Sequence, residues 1–208
     1  MTAGLSSKRA QTQDRLMDAA TALFAEKGVL AASVEEICER AGFTRGAFYS
    51  NFDSKDELML AVLERQSETI LLAASEAIAS VPDEYVEPNG VDEVIEQALM
   101  IFEITHPTDS QWLMASNEIR LHAIRNPTVR EALQSVDASL DAVLVAGIRE
   151  VLARQDLHLK VSPEQLVVLL AAYKESLSIR SLLAGAAADS APSTGHLVTL
   201  IRALIEDR

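Results

Sequence analysis

The residues best suited to chemistry lie between positions 44 and 51. Once the apolar residues of this segment are assigned to a core, the side chains that remain are polar or very small: Thr44, Arg45, Gly46, Tyr49, Ser50 and Asn51. An arginine can pair with O6 and N7 of guanine, an asparagine with adenine, and hydroxyl groups with phosphate. Gly46 and Ala47 leave room for a close approach. Such a set on one helix is suited to the major groove of DNA.

Two short helices separated by a glycine would position these side chains. The first helix carries an apolar stripe and begins at Ser33, which with Glu36 three residues later forms a capping box. Gly42 breaks the chain, and the second helix begins at Thr44 with an apolar side made by Phe43, Ala47 and Phe48. Two helices joined through a glycine turn predict a helix-turn-helix.

The rest of the chain also predicts helices. A first helix ends at Gly28, and Ser54 with Glu57 opens a long fourth helix that runs towards Pro82. Residues 80–90 are expected to form a loop, and further helices are expected at about 91–105, 109–124, 127–155, 163–186 and 195–206. Apolar residues recur at helical spacing, and alternating β-branched patterns are absent. The predicted fold class is therefore all-α.

Charge is distributed unevenly along the chain. The net charge is -13, but residues 1–55 hold seven cations and seven anions, so the remainder carries 11 cations and 24 anions. A single cysteine, Cys38, excludes an intrachain disulfide and a cysteine-based zinc site. No apolar run reaches the roughly 20 residues that span a bilayer, and no secretion signal is apparent. We expect a cytoplasmic protein with a neutral N-terminal part, an acidic remainder and no membrane partner.

The sequence patterns of common enzymes are absent. No two glycines lie two residues apart, which excludes G-x-G-x-x-G, and the Walker lysine, G-x-S-x-G and H-E-x-x-H patterns are missing. The four histidines, at positions 106, 122, 158 and 196, have no metal-ligand spacing. We expect no enzyme, no catalytic or metal site and no cofactor. A helical dimerisation protein that does not bind DNA is an alternative, but it leaves the polar set at 44–51 unexplained.

The run SVEEICERAGFTRGAFYSNFDSKDELMLAVL, residues 33–63, closely resembles the DNA-binding segment of the TetR family of bacterial transcriptional repressors. The glycine turn, the aromatic-Tyr pair and the Phe-x-Ser-Lys element carry the resemblance. It implies that residues 1–55 are an arm and helix-turn-helix domain and that residues 56–208 are a helical effector-binding and dimerisation domain. It also implies a bacterial regulator that binds a double-stranded DNA operator.

The resemblance assigns a role to each matched position. Ser33 caps the second helix and touches phosphate, and Thr44 caps the recognition helix at the DNA edge. Arg45 is the leading base reader, and Gly46 and Ala47 lie against bases or thymine methyl groups. The phosphate contacts fall to Tyr49 and to Lys55 at the start of the fourth helix, while Asn51 stands where the family often has histidine. Lys8 and Arg9, expected before the first helix, are candidates for a basic arm.

The last two helices are candidates for a dimer interface. Each has apolar residues on two sides, so each needs two packing partners, one of which a second subunit could supply. A cap formed by Ser162 and Gln165 defines the start of the first of the pair. A purely intramolecular core is the alternative. Two linked heads would bind paired half-sites more tightly than one head binds one site.

Large or amphipathic side chains suggest a ligand site in the middle of the chain: Met100, Phe102, Trp112, Met114, His122 and Tyr173. Ordinary core packing explains them nearly as well. The resemblance implies a small effector that shifts the fourth helix. The sequence thus predicts a homodimeric repressor of a near-palindromic operator, released by a small hydrophobic molecule. Activation, or regulation without a ligand, stays open.

Overall fold

The described residues of the chain are almost entirely helical. The structure is a computed structural model, and it describes residues 3–79, 95, 96, 99, 109–184 and 195–206. Its helices are α1 (Ala3–Lys27), α2 (Val34–Ala41), α3 (Arg45–Tyr49), α4 (Lys55–Ala79), α5 (Ser110–Arg125), α6 (Pro127–Arg154), α7 (Pro163–Ala184) and α8 (Gly195–Leu204). This part of the chain contains no strand, so the prediction of an all-α fold is confirmed.

Local chemistry sets the helix ends, as the sequence predicts. Gly28 follows α1 with φ of 83° and Gly42 follows α2 with φ of 71°, a backbone region that residues with a side chain rarely adopt. Ser33 forms the predicted capping box with Glu36. Before α7, Ser162 Oγ accepts a hydrogen bond from the Gln165 N–H, and Gln165 Oε1 accepts one from the Ser162 N–H. These caps satisfy backbone groups that a helix end leaves without partners.

One compact unit, here called the head unit, contains the described residues up to Ser67 together with Asp109–Val136. Its core includes apolar residues of α1 as well as Phe48 and Phe52, which are 0% and 4% exposed. Cys38 is buried in the same core, and burial raises the pKa of its thiol, with the nearby Glu35 carboxylate adding to the rise.

The second compact unit, here called the body unit, contains the described residues of 68–108 and those from Asp137 onwards. One buried cluster joins α7 and α8 to two residues of a preceding helical segment: Ile95, Leu99, Leu166, Leu170, Leu197 and Ile201. On α6, a Cβ added to Gly147 would lie 2.5 Å from Cδ1 of Ile78 in α4. The absence of a side chain at Gly147 therefore lets these two helices approach closely.

Several predictions concern residues outside the described part of the chain, and others need correction. The loop at 80–90, most of the helix at 91–105, and the candidate ligand residues Met100 and Phe102 lie outside the described residues. Lys8 and Arg9 do not precede the first helix, because α1 begins at Ala3 and contains both. The compact units also divide the chain differently from the functional boundary expected after residue 55, which stays a prediction. No described helix combines the length and the apolar run that a bilayer crossing needs.

Candidate nucleic-acid interface

The short helix α3 is anchored to the head unit by one fully buried aromatic residue. Phe48 is 0% exposed, and its ring lies 5.2 Å from that of Tyr49, edge-on, and 6.0 Å from that of Phe52. With Phe48 in the core, the opposite side of the helix faces outward. Arg45, Gly46, Tyr49 and Ser50 are all exposed there, as the sequence predicts.

Both helices of the helix-turn-helix begin at a capped residue. The Oγ1 of Thr44 accepts a hydrogen bond from the Ala47 N–H at 3.2 Å, and Thr44 itself is exposed. The Ser33 hydroxyl donates to Oε2 of Glu36 at 2.8 Å and accepts from the Glu36 N–H at 3.3 Å. The two predicted caps are confirmed. The Thr44 cap therefore fixes the first turn of α3, and the outward-facing side chains of this turn are not needed for capping.

Arg45 is held by two neighbours on the exposed surface. Its Nη1 lies 2.7 Å from Oε1 of Glu35 in α2, and its guanidinium carbon lies 5.8 Å from the centre of the Tyr49 ring. A hydrogen bond with Tyr49 and the charge of Glu35 raise the pKa of Arg45 above its usual value. The sequence analysis missed Glu35, which stands ten positions before Arg45 and has no local pattern linking it to the recognition helix. The arginine is thus charged and oriented before any partner arrives.

Gly46 is a glycine that the fold of the protein does not require. A Cβ at this position would have Thr44 Oγ1 as its nearest neighbour, at 3.7 Å, which is an ordinary contact. Glycine in a helix costs about 0.5 to 1 kcal/mol relative to alanine. A helix that accepts this cost without an internal steric reason leaves space for something outside the protein to approach its backbone.

Asn51 corrects one expectation about exposure. Its side chain is half-buried, and the amide nitrogen donates to the Ala47 carbonyl at 2.8 Å, which closes the end of α3. The Oδ1 atom is buried and has no hydrogen-bond partner among the residues that the structure describes. The expectation of an outward-facing Asn51 is therefore wrong, because the end of the helix offers a free carbonyl to a short amide side chain. Ser50 also donates to Ala47 O, at 2.9 Å, but remains exposed.

Lys55 is partly buried and is used inside the head unit. Its ammonium group donates to the carbonyl of Val29 at 2.6 Å and to that of Ala32 at 2.8 Å. Burial lowers the pKa of Lys55. A lysine has three N–H donors, so two of them tie the segment between α1 and α2 to the start of α4 and one is left. Sequence reasoning missed these partners because they lie 26 and 23 positions away.

Other cations of the head unit are also engaged by its own residues. Arg40 Nη2 donates to Oε2 of Glu26 at 2.7 Å, and the guanidinium of Arg15 lies 4.7 Å from the centre of the Phe43 ring. Lys27 pairs with Glu36. Together with the nearby Ser33 N–H and hydroxyl, that lysine lowers the pKa of Glu36 to about 2. These cations, like Arg45 with its partner Glu35, are therefore already engaged within the head unit.

The described residues of the predicted ligand set are divided between the two compact units, and their role in ligand binding stays a prediction. Trp112, Met114 and His122 lie on α5 in the head unit, whereas Tyr173 lies on α7 in the body unit. Trp112 packs against the head core and Met114 is 40% exposed. His122 Nε2 lies 3.5 Å from Oδ1 of Asp56. The prediction grouped these residues by size and softness, and the fold distributes them between the two units.

A different, aliphatic cavity of about 80 Å³ lies within the body unit. Its described lining draws on α4, α6, α7, α8 and the segments next to them, and it is almost wholly hydrocarbon: Ile78, Ile95, Leu99, Leu144, Gly147, Ile148, Val151, Leu152, Leu157, Leu159, Leu166, Val167, Leu170, Ile201 and Ile205. The repeat of aliphatic residues along α6 was the available signal, but the same repeat is typical of any core helix. Among the described residues, no cluster of His, Cys, Asp or Glu is placed to hold a metal ion.

A capped, exposed recognition helix behind a glycine turn defines the chain as a helix-turn-helix protein. Residues 16–62 match the family model described as bacterial regulatory proteins, tetR family. The transcriptional activator FasR of Mycolicibacterium smegmatis is 35% identical over 75 residues, which are 36% of this chain and 34% of FasR. The regulator UidR of Escherichia coli is 27% identical over 139 residues, 67% of this chain and 65% of UidR. The matches thus span between a third and two thirds of these curated relatives.

The fold agrees with these sequence matches. Salmonella enterica GusR superimposes with a TM-score of 0.65 at 25% identity, covering 92% of this chain and 95% of GusR. The family-model match and these relatives support a relationship to the TetR family of bacterial regulatory proteins. Members of this family are DNA-binding transcription regulators rather than enzymes.

Proposed function

We propose that this protein is a homodimeric, ligand-responsive repressor that acts in the cytoplasm on a near-palindromic DNA operator. The observation that carries the proposal is the outward face of α3, where Arg45, Gly46 and Tyr49 are exposed on a helix held by its cap and by Phe48. Arg45 would read a guanine, Gly46 and Ala47 would lie close to the bases, and Thr44, Tyr49 and Ser50 would contact phosphates.

Four of the predicted DNA contacts involve side chains that are already bonded or partly buried in the head unit. Ser33 donates both its N–H and its hydroxyl to Oε2 of Glu36, so it would contact phosphate only by releasing that carboxylate. Lys55 bonds two carbonyls and would reach phosphate with its third N–H donor. Asn51 would act mainly by closing α3, since its amide nitrogen is used there. Ala47 is half-buried and would offer only its methyl group. The base-reading part of the interface therefore reduces to Arg45 and its small neighbours.

Dimerisation through α7 and α8 is supported by apolar residues that one subunit leaves uncovered. Val168, Leu169, Ile179 and Leu183 on α7 are 63%, 46%, 39% and 82% exposed, and Leu200 on α8 is 38% exposed. The opposite side of α7 is already packed, with Leu166, Val167 and Leu170 buried. A second copy would cover the uncovered face and hold two heads about 34 Å apart, the spacing of successive major grooves on one side of DNA.

Ligand response is supported by the aliphatic cavity of the body unit. Its described lining offers hydrocarbon and almost no hydrogen-bonding group, so it suits an uncharged aliphatic molecule or chain. Ile78 of α4 and Gly147 of α6 meet at its wall, which would allow an occupant to displace α4. To release DNA, the ligand must bind the DNA-incompetent arrangement more tightly than the DNA-binding one. Each tenfold difference between these two affinities corresponds to about 1.4 kcal/mol.

The experiment that tests the proposal begins with a pool of randomised duplexes, from which the protein selects its own operator. We expect an inverted repeat that binds at least a thousandfold more tightly than a scrambled duplex, roughly the lower limit for specific DNA binding. Aliphatic compounds that raise the melting temperature of wild-type protein, but not of Val151→Phe, should release this duplex. A pool without enrichment would contradict DNA regulation, and the position of the operator relative to its promoter would distinguish repression from activation.

A further inference from the structure

Glu35 occupies an unusual place for an acidic residue in a DNA-binding surface. It lies in the first turn of α2, 56% of its side chain is exposed, and its carboxylate contacts the guanidinium of Arg45 across the helix-turn-helix. Among the described residues, Glu35 is the ion-pair partner of the leading base reader. The question is what an acidic partner does for an arginine that must bind DNA.

The geometry of the pair leaves part of the arginine available. The contact joins one terminal nitrogen, Nη1, to Oε1 of Glu35, and the Tyr49 ring lies against the guanidinium from another direction. A guanidinium carries five N–H donors. It can therefore stay with Glu35 and still present two donors to a planar acceptor pair such as O6 and N7 of guanine.

We propose that Glu35 is a specificity-determining residue, which withholds Arg45 from the phosphate backbone and leaves it available to guanine. The proposal rests on the proposed function, since it concerns the same recognition helix. A carboxylate and a phosphate oxygen accept from the guanidinium in the same way, and Glu35 is always within reach, whereas a phosphate must be brought there. On a random sequence Arg45 then stays with Glu35, and only a correctly placed base pair adds a second contact.

Two effects of Glu35 on DNA binding have to be separated. Its negative charge repels phosphates on every sequence alike, which weakens operator and random binding by the same factor. Its contact with Arg45 acts mainly on random sequences, because on the operator the arginine is already bound to a base. Only the second effect changes the ratio of the two affinities, which is the quantity that defines specificity.

Glu39 provides a matched control for the charge. It lies one turn further along α2, is exposed, and would lose the same charge on replacement by glutamine. The probes are the duplex selected by the wild-type protein and a scrambled duplex of the same length, titrated in mobility-shift assays at several salt concentrations. Glu39→Gln should strengthen binding to both probes equally and leave the affinity ratio as in the wild type.

Glu35→Gln should strengthen binding to the scrambled duplex more than binding to the operator, and lower the affinity ratio by about five- to tenfold. The salt dependence of scrambled binding should steepen by about one, because Arg45 is then free to neutralise a phosphate. In an Arg45→Ala background the same substitution should leave the ratio unchanged. Glu35→Asp, which keeps the charge but shortens the side chain, should also lower the ratio.

The outcomes separate this inference from the proposed function. If the wild-type protein discriminates between the probes and Glu35→Gln discriminates equally well, the role of Glu35 is refuted while DNA regulation stands. If Glu35→Gln still lowers the affinity ratio in the Arg45→Ala background, the proposed role of Glu35 is also refuted. If the wild-type protein selects no sequence, both proposals fail together.

Discussion

The helix-turn-helix, residues 33–55, and the C-terminal helix pair, residues 163–204, differ in what they leave exposed. In the helix-turn-helix the large apolar residues Ile37, Phe48 and Phe52 are buried, and the outward side chains are polar or small. In the C-terminal pair one apolar face is buried in the protomer, and a second face with Val168, Leu169 and Leu183 is exposed. The first region buries its large apolar residues, whereas the second exposes some of its own within the part of the chain that the structure describes.

This difference indicates the kind of partner each region needs. An exposed arginine beside small residues gains little from an apolar surface but can bind a polyanion with directional acceptors. Exposed leucines and valines gain from being removed from water, at about 25 cal/mol for each Å² buried. A regulator that must hold two DNA readers together needs both kinds of surface, and the chain places them at opposite ends of its sequence.

The largest effect is expected for a substitution on the exposed apolar face of the C-terminal pair. Leu169→Asp should put an unpaired charge into the proposed subunit interface, cost about 3 to 5 kcal/mol and give a folded monomer that no longer binds the operator. Sedimentation equilibrium with circular dichroism would measure both properties. Leu72→Asp, at a leucine of α4 that is 64% exposed, is the control and should remain dimeric. A Leu169→Asp dimer as tight as wild type would show that this face is not the interface.

A related substitution at Leu204 should have a different result. Leu204 packs against the buried cluster of α7 and α8, so it belongs to the protomer core and not to the exposed face. Leu204→Asp should therefore lower the melting temperature and the helicity of the whole chain instead of producing a folded monomer. The comparison of Leu169 with Leu204 separates the two faces of the pair.

At the helix-turn-helix the largest effect is expected for the base reader. Arg45→Ala should weaken operator binding by about 1 to 3 kcal/mol, the size of a bidentate base contact. The melting temperature should stay near that of wild type, because both partners of its ion pair are more than half exposed. Mobility-shift titration on the selected operator would measure the loss. Unchanged affinity would mean that Arg45 does not read a base.

Lys55 should affect both folding and DNA binding. Lys55→Ala removes the donors to the carbonyls of Val29 and Ala32 and should lower the free energy of unfolding by about 1 to 2 kcal/mol. If its third N–H contacts phosphate, the salt dependence should also fall by about one on every sequence. Urea unfolding and salt titration would measure the two effects. A mutant of wild-type stability would contradict the carbonyl contacts.

Gly46→Ala should raise the stability of the protein and lower its affinity for the operator. The added methyl group has space in the free protein, so the free energy of unfolding should rise by about 0.5 to 1 kcal/mol. Operator affinity should fall, because the methyl group occupies the space that a base edge would use. Thermal unfolding and mobility-shift titration on one preparation would test both. Full operator affinity would mean that DNA does not approach this backbone.

The smallest effect is expected in the pH dependence of stability. The pKa of Glu36 is about 2, below its ordinary value of 4.5, because Lys27 and the Ser33 N–H and hydroxyl stabilise the carboxylate. A lowered pKa in the folded state stabilises the protein above pH 4.5 and loses this contribution as the pH falls towards 2. Titration of the Glu36 carboxyl by NMR should give a midpoint near 2, raised by Ser33→Ala. A midpoint near 4.5 in the wild type would contradict the capping geometry.

Features that depend on a few neighbouring residues could be predicted from the sequence. Gly28, Gly42 and the Ser33 capping box act over at most four positions, and each is found where expected. The cap at Ser54 was only half right. Ser54 Oγ accepts from the Glu57 N–H at 3.0 Å, but the Glu57 carboxylate accepts from the Asp53 N–H instead of that of Ser54.

Features that depend on distant residues could not be predicted. The carbonyl partners of Lys55, the contact between Glu35 and Arg45, and the cavity of the body unit each require knowledge of which helices meet. Large side chains such as Trp112 and Met114 suggested a ligand site, but size does not say which core a residue joins. The polar face of α3 was found because packing Phe48 inward determines what faces outward.

The central claim is that two copies of the recognition helix bind one DNA site together. Hydroxyl-radical footprinting of the wild-type protein on its selected duplex tests this most directly. We expect two protected half-sites on one face of the duplex, about 34 Å apart, related by inverted symmetry and lost together in Leu169→Asp. A single protected half-site that survives in Leu169→Asp would contradict the dimeric account.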